Sequence, residues 1–125
     1  MRYLCLAYEE EEKLNALTEP EWHALRDETV EYVRKLQARG HLVVTAALQA
    51  VHTATTVRVR GGRLSATDGP FAETKETLGG IFLIEAASRD EAVRLAAEWP
   101  SARIGSIEVR PIEETLPTDR RYARA

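Results

Sequence analysis

Five ionisable or hydroxyl side chains follow one another from Glu73 to Thr77, just after the run Thr67-Asp68-Gly69-Pro70-Phe71-Ala72. A carboxylate in apolar company, or beside a like charge, moves towards a neutral pKa and can then exchange protons with a bound molecule. Asp68, with Pro70 and Phe71 close in sequence, is therefore the candidate catalytic group. Phe71, Glu73 and Lys75 are the candidate substrate-binding residues: Lys75 would meet an anion or a carbonyl oxygen, and Glu73 would orient it. The chemistry would be proton transfer or lyase-like and would need no cofactor. A second reading makes the same segment a rigid turn, in which Asp68 caps the backbone as an Asx turn and Glu73, Lys75 and Glu76 form a solvated face. Residue types and spacing leave both readings open.

The remaining candidates carry less. His41 and His52 have no second His or Cys at ligand spacing, so no metal site is expected and both read as exposed loop histidines. Glu9 to Glu12 could be a surface for a cation or a partner, but such a run at a strand end is more simply solvated. Tyr3, Trp22, Phe82 and Trp99 could line a pocket, with core packing the default for aromatics at periodic positions. Cys5 is the single cysteine, so no intrachain disulfide can form, and it reads as a small buried hydrophobe.

These residues must be positioned by the elements around them. Arg2 to Tyr8 reads as a strand with apolar side chains on both faces. Thr18 and Glu21 have capping-box spacing, Leu17 can staple to Trp22, and Gly40 supplies a stop, which predicts a helix between them. Its stripe of Trp22, Leu25, Thr29, Val33 and Leu36 should face a core. Alternation predicts strands over Leu42 to Leu48 and Thr55 to Arg60, and Gly61-Gly62 predicts a tight turn into Arg63 to Thr67. Gly80 to Ala86 is a further strand, again apolar on both faces. Ser88 and Glu91 cap a short helix from Asp90 to Trp99, ended by Pro100, and Ile104 to Ile112 closes the domain with Ile107 and Val109 inward. Thr67 to Leu78 is long for a strand connection.

This order predicts an α+β fold of ferredoxin-like split βαβ type, an antiparallel sheet with an inserted hairpin, over residues 1–112, followed by a C-terminal tail over 113–125. Both helices would cover one sheet face. The apolar side chains on the other face then need a cover, and a second copy packed sheet to sheet is the simplest, so a homodimer through the sheet face is expected. The 125-residue length suits one domain, and 17 Lys+Arg against 20 Asp+Glu leave a formal charge of -3, with no basic surplus for binding nucleic acid directly. The apolar runs are too short for a membrane span and the N-terminus lacks a signal-peptide pattern, so a cytoplasmic setting is expected.

The run from Thr67 to Glu76, followed by Leu78-Gly79-Gly80 and Ile84-Glu85-Ala86, resembles the DGPF-type branch of the YCII-related proteins. Tyr3-Leu4 with Tyr8-Glu9-Glu10-Glu11, Gly40 to Leu48, Ala54 to Arg58 and Ser106 to Pro111 extend the resemblance along most of the chain. What it implies is a dimeric α+β barrel of ferredoxin-like subunits and a functional role for the loop. Some members of the wider family carry a His and an Asp facing a pocket, and relatives in the superfamily act on small ring compounds. The position matching that His falls near Thr29, which cannot act as a base, and His23 lies roughly two turns away on the same helix. Asp68 is retained by direct motif match. Two function classes follow: a small-molecule-binding protein or cofactor-free acid/base enzyme using the Asp68 to Glu76 loop, and a non-enzymatic regulatory module partnering an extracytoplasmic-function sigma factor, which the resemblance suggests.

Overall fold

The computed structural model describes residues 1–114, so the tail expected over 113–125 lies outside the described residues from 115 onward. The elements run β1 (Arg2–Glu9), α1 (Glu11–Asn15), α2 (Glu19–Ala38), β2 (Leu42–Ala47), a short turn of 3-10 helix (Val51–Thr53), β3 (Thr55–Arg60), β4 (Arg63–Asp68), β5 (Thr77–Glu85), α3 (Arg89–Ala97), a second 3-10 turn (Pro100–Arg103) and β6 (Ser106–Pro111). β1, β2, β5 and β6 form a four-stranded sheet in the order β2-β5-β1-β6, and β3 and β4 form a separate two-stranded ribbon. Every pairing is antiparallel. This is the ferredoxin-like α+β arrangement, with the hairpin inserted between β2 and β5.

The caps are those expected. Thr18 Oγ1 accepts from the Glu21 amide while the Glu21 carboxylate accepts from the Thr18 amide, satisfying two free donors at the start of α2. Ser88 Oγ does the same for the Glu91 amide at the start of α3. Gly61 and Gly62 both have positive φ (56° and 74°), the conformation that closes a two-residue hairpin whose twist matches its strands.

Alternation along β1 puts Tyr3, Cys5 and Ala7 on the side covered by the helices, where they are buried with Phe82 and Ile84 of β5. α2 adds Tyr32 and Leu36 to this core and α3 adds Ala92, Leu95 and Ala96, with Ile107 and Val109 of β6 packed against it. The Trp99 ring stacks on Phe82 at 4.0 Å between centroids and meets Tyr32 edge-on at 6.1 Å. Tyr32 Oη, within the same core, donates to the Leu95 carbonyl at 2.5 Å. Cys5 is fully buried, and burial pushes its thiol up to about 12.

Three local expectations are corrected. The acidic run at the end of β1 is not simply solvated: Glu9 is half-buried, and Glu11 begins the short helix α1. His41 is not a free loop histidine, because its Nδ1 lies 2.8 Å from the Glu85 carbonyl and joins the start of β2 to the end of β5. The stripe on α2 faces the core only in its C-terminal half. Leu36 is fully buried, whereas Trp22 is 45% exposed.

Candidate functional site

A cavity of about 1030 Å³ lies between α2 and the helix-facing side of the sheet, with mostly apolar walls. Trp22, Leu25, Thr29 and Val33 form its α2 wall, so the N-terminal half of the expected core stripe lines open space instead. The sheet contributes Ala7 and Glu9 from β1, Thr45 to Ala47 from β2, and Thr77, Gly79 and Gly80 from β5, and Trp99 and Ser101 complete the far side. Cavities of this size, apolar with a few polar groups, are the usual form of a small-molecule site.

Glu9 enters the cavity for a local reason. The alternation that turns Tyr3, Cys5 and Ala7 towards the helices turns Glu9 the same way two residues later. Opposite this point the β1–β5 register shifts, Ala7 facing Gly80 and Tyr8 facing Leu78, which leaves Gly79 as the extra residue of a bulge. The Glu9 carboxylate lies across Gly79: a Cβ on that glycine would meet the Glu9 Cδ at 2.8 Å and its Oε2 closer still. Among the described residues no side chain or backbone donor holds this carboxylate. Burial raises its pKa, and the negative charge of Glu11 raises it further. Glu11 itself accepts from the Val51 amide at 2.7 Å, which ties α1 to the turn after β2.

The wall also carries the amides of Asn15, Gln37 and Gln49 and several hydroxyls. Thr29 Oγ1 donates to the Leu25 carbonyl at 2.8 Å and Thr45 Oγ1 to the Ile81 carbonyl at 2.9 Å, so both keep free lone pairs. Ser101 differs, being 7% exposed with an Oγ that has no hydrogen-bond partner among the described residues. The turn that carries it is fastened to α2 by Arg103, whose guanidinium grips both Glu28 oxygens at 2.8 and 2.7 Å and holds that carboxyl below the usual range. Arg26 and Arg34 also border the cavity, but each lies beside a carboxylate of its own helix, Asp27 at 3.3 Å and Glu31 at 3.7 Å.

The segment singled out in the sequence stands apart from this cavity. Asp68 ends β4 opposite Thr55 and is exposed, as is Glu73. Phe71 is 80% exposed. Lys75 lies 3.5 Å from Glu10, so the carboxylate beside it is Glu10 rather than the expected Glu73. With Tyr8, Thr74 and Glu76, these two residues border a second, more open depression of about 610 Å³ against β6. The segment is shaped by backbone bonds: the Gly69 amide donates to the Ala54 carbonyl at 2.7 Å and Thr56 Oγ1 to the Gly69 carbonyl at 2.8 Å. Within one chain the structure thus brings Lys75 to Glu10 and brings Asp68, Phe71 and Glu73 into neither cavity.

Thr29 does line the main cavity, which agrees with the position that the resemblance assigned to a pocket-facing His, while His23 is exposed on the helix, 4.0 Å from Glu19. Glu9 and Ser101 were missed by sequence reasoning. For Glu9 the signal was present in the alternation of β1; for Ser101 there was none, because its burial depends on how the turn after α3 folds back.

The family model of the YCII-related domain matches residues 1–115. An uncharacterized protein of Rhizobium meliloti (strain 1021) is 38% identical over 114 residues, covering 90% of this chain and 92% of that protein. Among solved structures, the 5-chloro-2-hydroxyhydroquinone dehydrochlorinase TftG from Burkholderia phenoliruptrix AC1100, in complex with 2,5-dihydroxybenzoquinone, superposes with a TM-score of 0.57 at 15% identity, covering 95% of this chain and all of that one. At that identity the likeness is one of fold.

Proposed function

This chain belongs to the YCII-related domain family, and from that premise we propose that it binds a small molecule in the cavity between α2 and the sheet and performs acid/base chemistry there without a cofactor. The single observation that carries this reading is the cavity itself, with apolar walls and a half-buried carboxylate. The fold neighbour supports it as an analogy: its name gives it a small hydroxylated ring to act on, and this cavity has room and apolar wall for a ring compound.

The working form in this reading is a homodimer. Leu4, Leu6, Ile81 and Leu83 lie on the sheet face turned away from the helices and are only half-buried. On the ribbon, alternation gathers Val57, Val59 and Leu64 on one side and Arg58, Arg60 and Arg63 on the other, and the three apolar residues are about 60 to 72% exposed. A two-stranded ribbon is marginal without something to pack on. A second copy covers both surfaces. In such a pair Asp68, Phe71, Glu73 and Lys75 act at the rim of the site, since the segment that carries them runs directly into Thr77 of the cavity wall. A regulatory partnership with a sigma factor has no comparable feature behind it, and a pull-down from the native host that recovers one stoichiometrically would revive it.

Isothermal titration with uncharged bicyclic ring compounds, 2-naphthol and 2-tetralone among them, should give one binding site per chain, and light scattering at micromolar concentration should give twice the chain mass. No heat with any ring compound removes the binding reading; a monomer removes the paired form.

A further inference from the structure

The carboxylates at the end of β1 divide between the two cavities. Glu10 borders the open depression, and both nearby lysines go to it, Lys75 at 3.5 Å and Lys13 at 3.6 Å. Glu9 faces the cavity beneath α2 and, among the described residues, its carboxylate has neither an ion pair nor a hydrogen-bond donor. Its oxygens are open to that space all the same, because Ser101 Oγ is the one enclosed side-chain atom without a partner among the described residues. Gly79 makes room for the group: a Cβ there would lie 2.8 Å from the Glu9 Cδ. Glu9 is thus partly withdrawn from water, reachable from the cavity and uncompensated.

The rest of the lining brings no spare positive charge. Arg26 lies 3.3 Å from Asp27, and Arg34 lies 3.7 Å from Glu31. Glu11 and Glu19 add two further carboxylates to the wall; Glu11 accepts from the neutral Val51 amide at 2.7 Å, and Glu19 stands 4.0 Å from His23. The cavity therefore combines an apolar wall, with Trp22, Leu25 and Val33 in it, and an excess of negative charge.

Resting on the reading of this cavity as a small-molecule site, we infer that its ligand is an organic cation, an apolar ring body carrying a protonated amine, and that Glu9 selects it by accepting the ammonium N–H. An unpaired charge is costly to bury, so a ligand that brings the opposite charge together with a hydrogen bond relieves a penalty that the folded chain carries alone. A neutral ring gains the apolar wall but leaves Glu9 as it was. An anion adds repulsion from Glu9 and Glu11. Trp22, 45% exposed in the same wall, is the aromatic type that holds cations best.

Three compounds built on one ring separate charge from shape: 2-aminotetralin, protonated at pH 7.5, the neutral 2-tetralol, and the anionic tetralin-2-carboxylate. Calorimetry with the full-length wild type at pH 7.5 should give the amine an affinity at least about tenfold above that of the alcohol, the scale of one charge-assisted hydrogen bond, and the carboxylate the weakest of the three. The wild-type order alone tests the charge, whether or not a variant folds. Glu9→Gln should erase the amine's advantage, whereas Glu12→Gln, which removes an exposed carboxylate of the same run outside the cavity, should keep it. An amine that binds no better than the alcohol, an advantage that survives Glu9→Gln, or one that Glu12→Gln removes equally overturns this assignment and leaves the cavity reading standing. If none of the three binds and the uncharged bicyclic compounds give no heat either, both fall together.

Discussion

At the scale of single residues, Glu9 is set apart by where its charge is held. The folded chain raises its pKa by burial and by the neighbouring Glu11, so the folded state grips this proton more tightly than the unfolded chain does. The consequence has a definite sign. Below the ordinary carboxylate pKa both states are protonated and Glu9 has no effect on stability; as pH rises from there towards the raised folded value, stability is lost, and above it the full penalty is present. Glu11, Glu19, Arg26 and Arg34 border the same space, in which Glu9 is the half-buried carboxylate. Glu9→Gln should therefore melt above the wild type at pH 7.5, and the gap should close towards pH 4. A variant that melts below the wild type at pH 7.5, with a deficit that shrinks towards pH 4, would show that ionised Glu9 is held by a donor after all. The sequence held a trace of this behaviour. Glu9 continues the odd-numbered alternation of Tyr3, Cys5 and Ala7, but its place in a run of carboxylates made solvation the simpler reading. Only the bulge at Gly79 and the cavity beneath α2 distinguish one glutamate of that run from the next.

At the scale of elements, α2 performs two tasks along one stripe. Its C-terminal half closes the core through Tyr32 and Leu36, and its N-terminal half walls the cavity through Trp22, Leu25 and Thr29. Helical periodicity is the same for both, because an apolar side chain facing a pocket and one facing a packed core repeat at the same spacing. For this reason the helix, its capping box and its end were legible in the sequence while the division of labour along it was not. The strands were legible for a similar reason: β1 and β5 are apolar on both faces, and they are the central pair of the sheet. The long connection before β5 drew attention as chemistry, yet the backbone bonds from Gly69 to Ala54 and from Thr56 to Gly69 show that part of its regularity is structural. The two halves of α2 should respond differently to truncation. Leu36→Ala removes a fully buried side chain and should cost about 3 kcal/mol in urea unfolding. Leu25→Ala, facing the cavity, should cost well under half as much and weaken ligand binding instead. Equal losses of stability would mean that the space beneath Leu25 is packed in solution.

At the scale of the whole molecule, a two-layer domain can cover only one side of its sheet, and here the covered side also contains the cavity. In the proposed pair the open side and the ribbon meet a second copy, so the proposed assembly surface and the cavity lie on opposite faces of the same four strands. The Asp68 to Glu76 segment leads from β4 into the start of β5. The two candidate locations for ligand, beneath α2 or along that segment, are far enough apart in the chain to be resolved residue by residue. A titration of the isotopically labelled protein with 2-naphthol, followed through its backbone amide signals, does so. Signals of Glu9, Thr29, Thr45, Gly79, Gly80 and Ser101 should move together and saturate along one binding curve. Shifts confined to Asp68, Phe71, Glu73 and Lys75, or to the β3–β4 ribbon, with the residues beneath α2 unmoved, would contradict a site between α2 and the sheet.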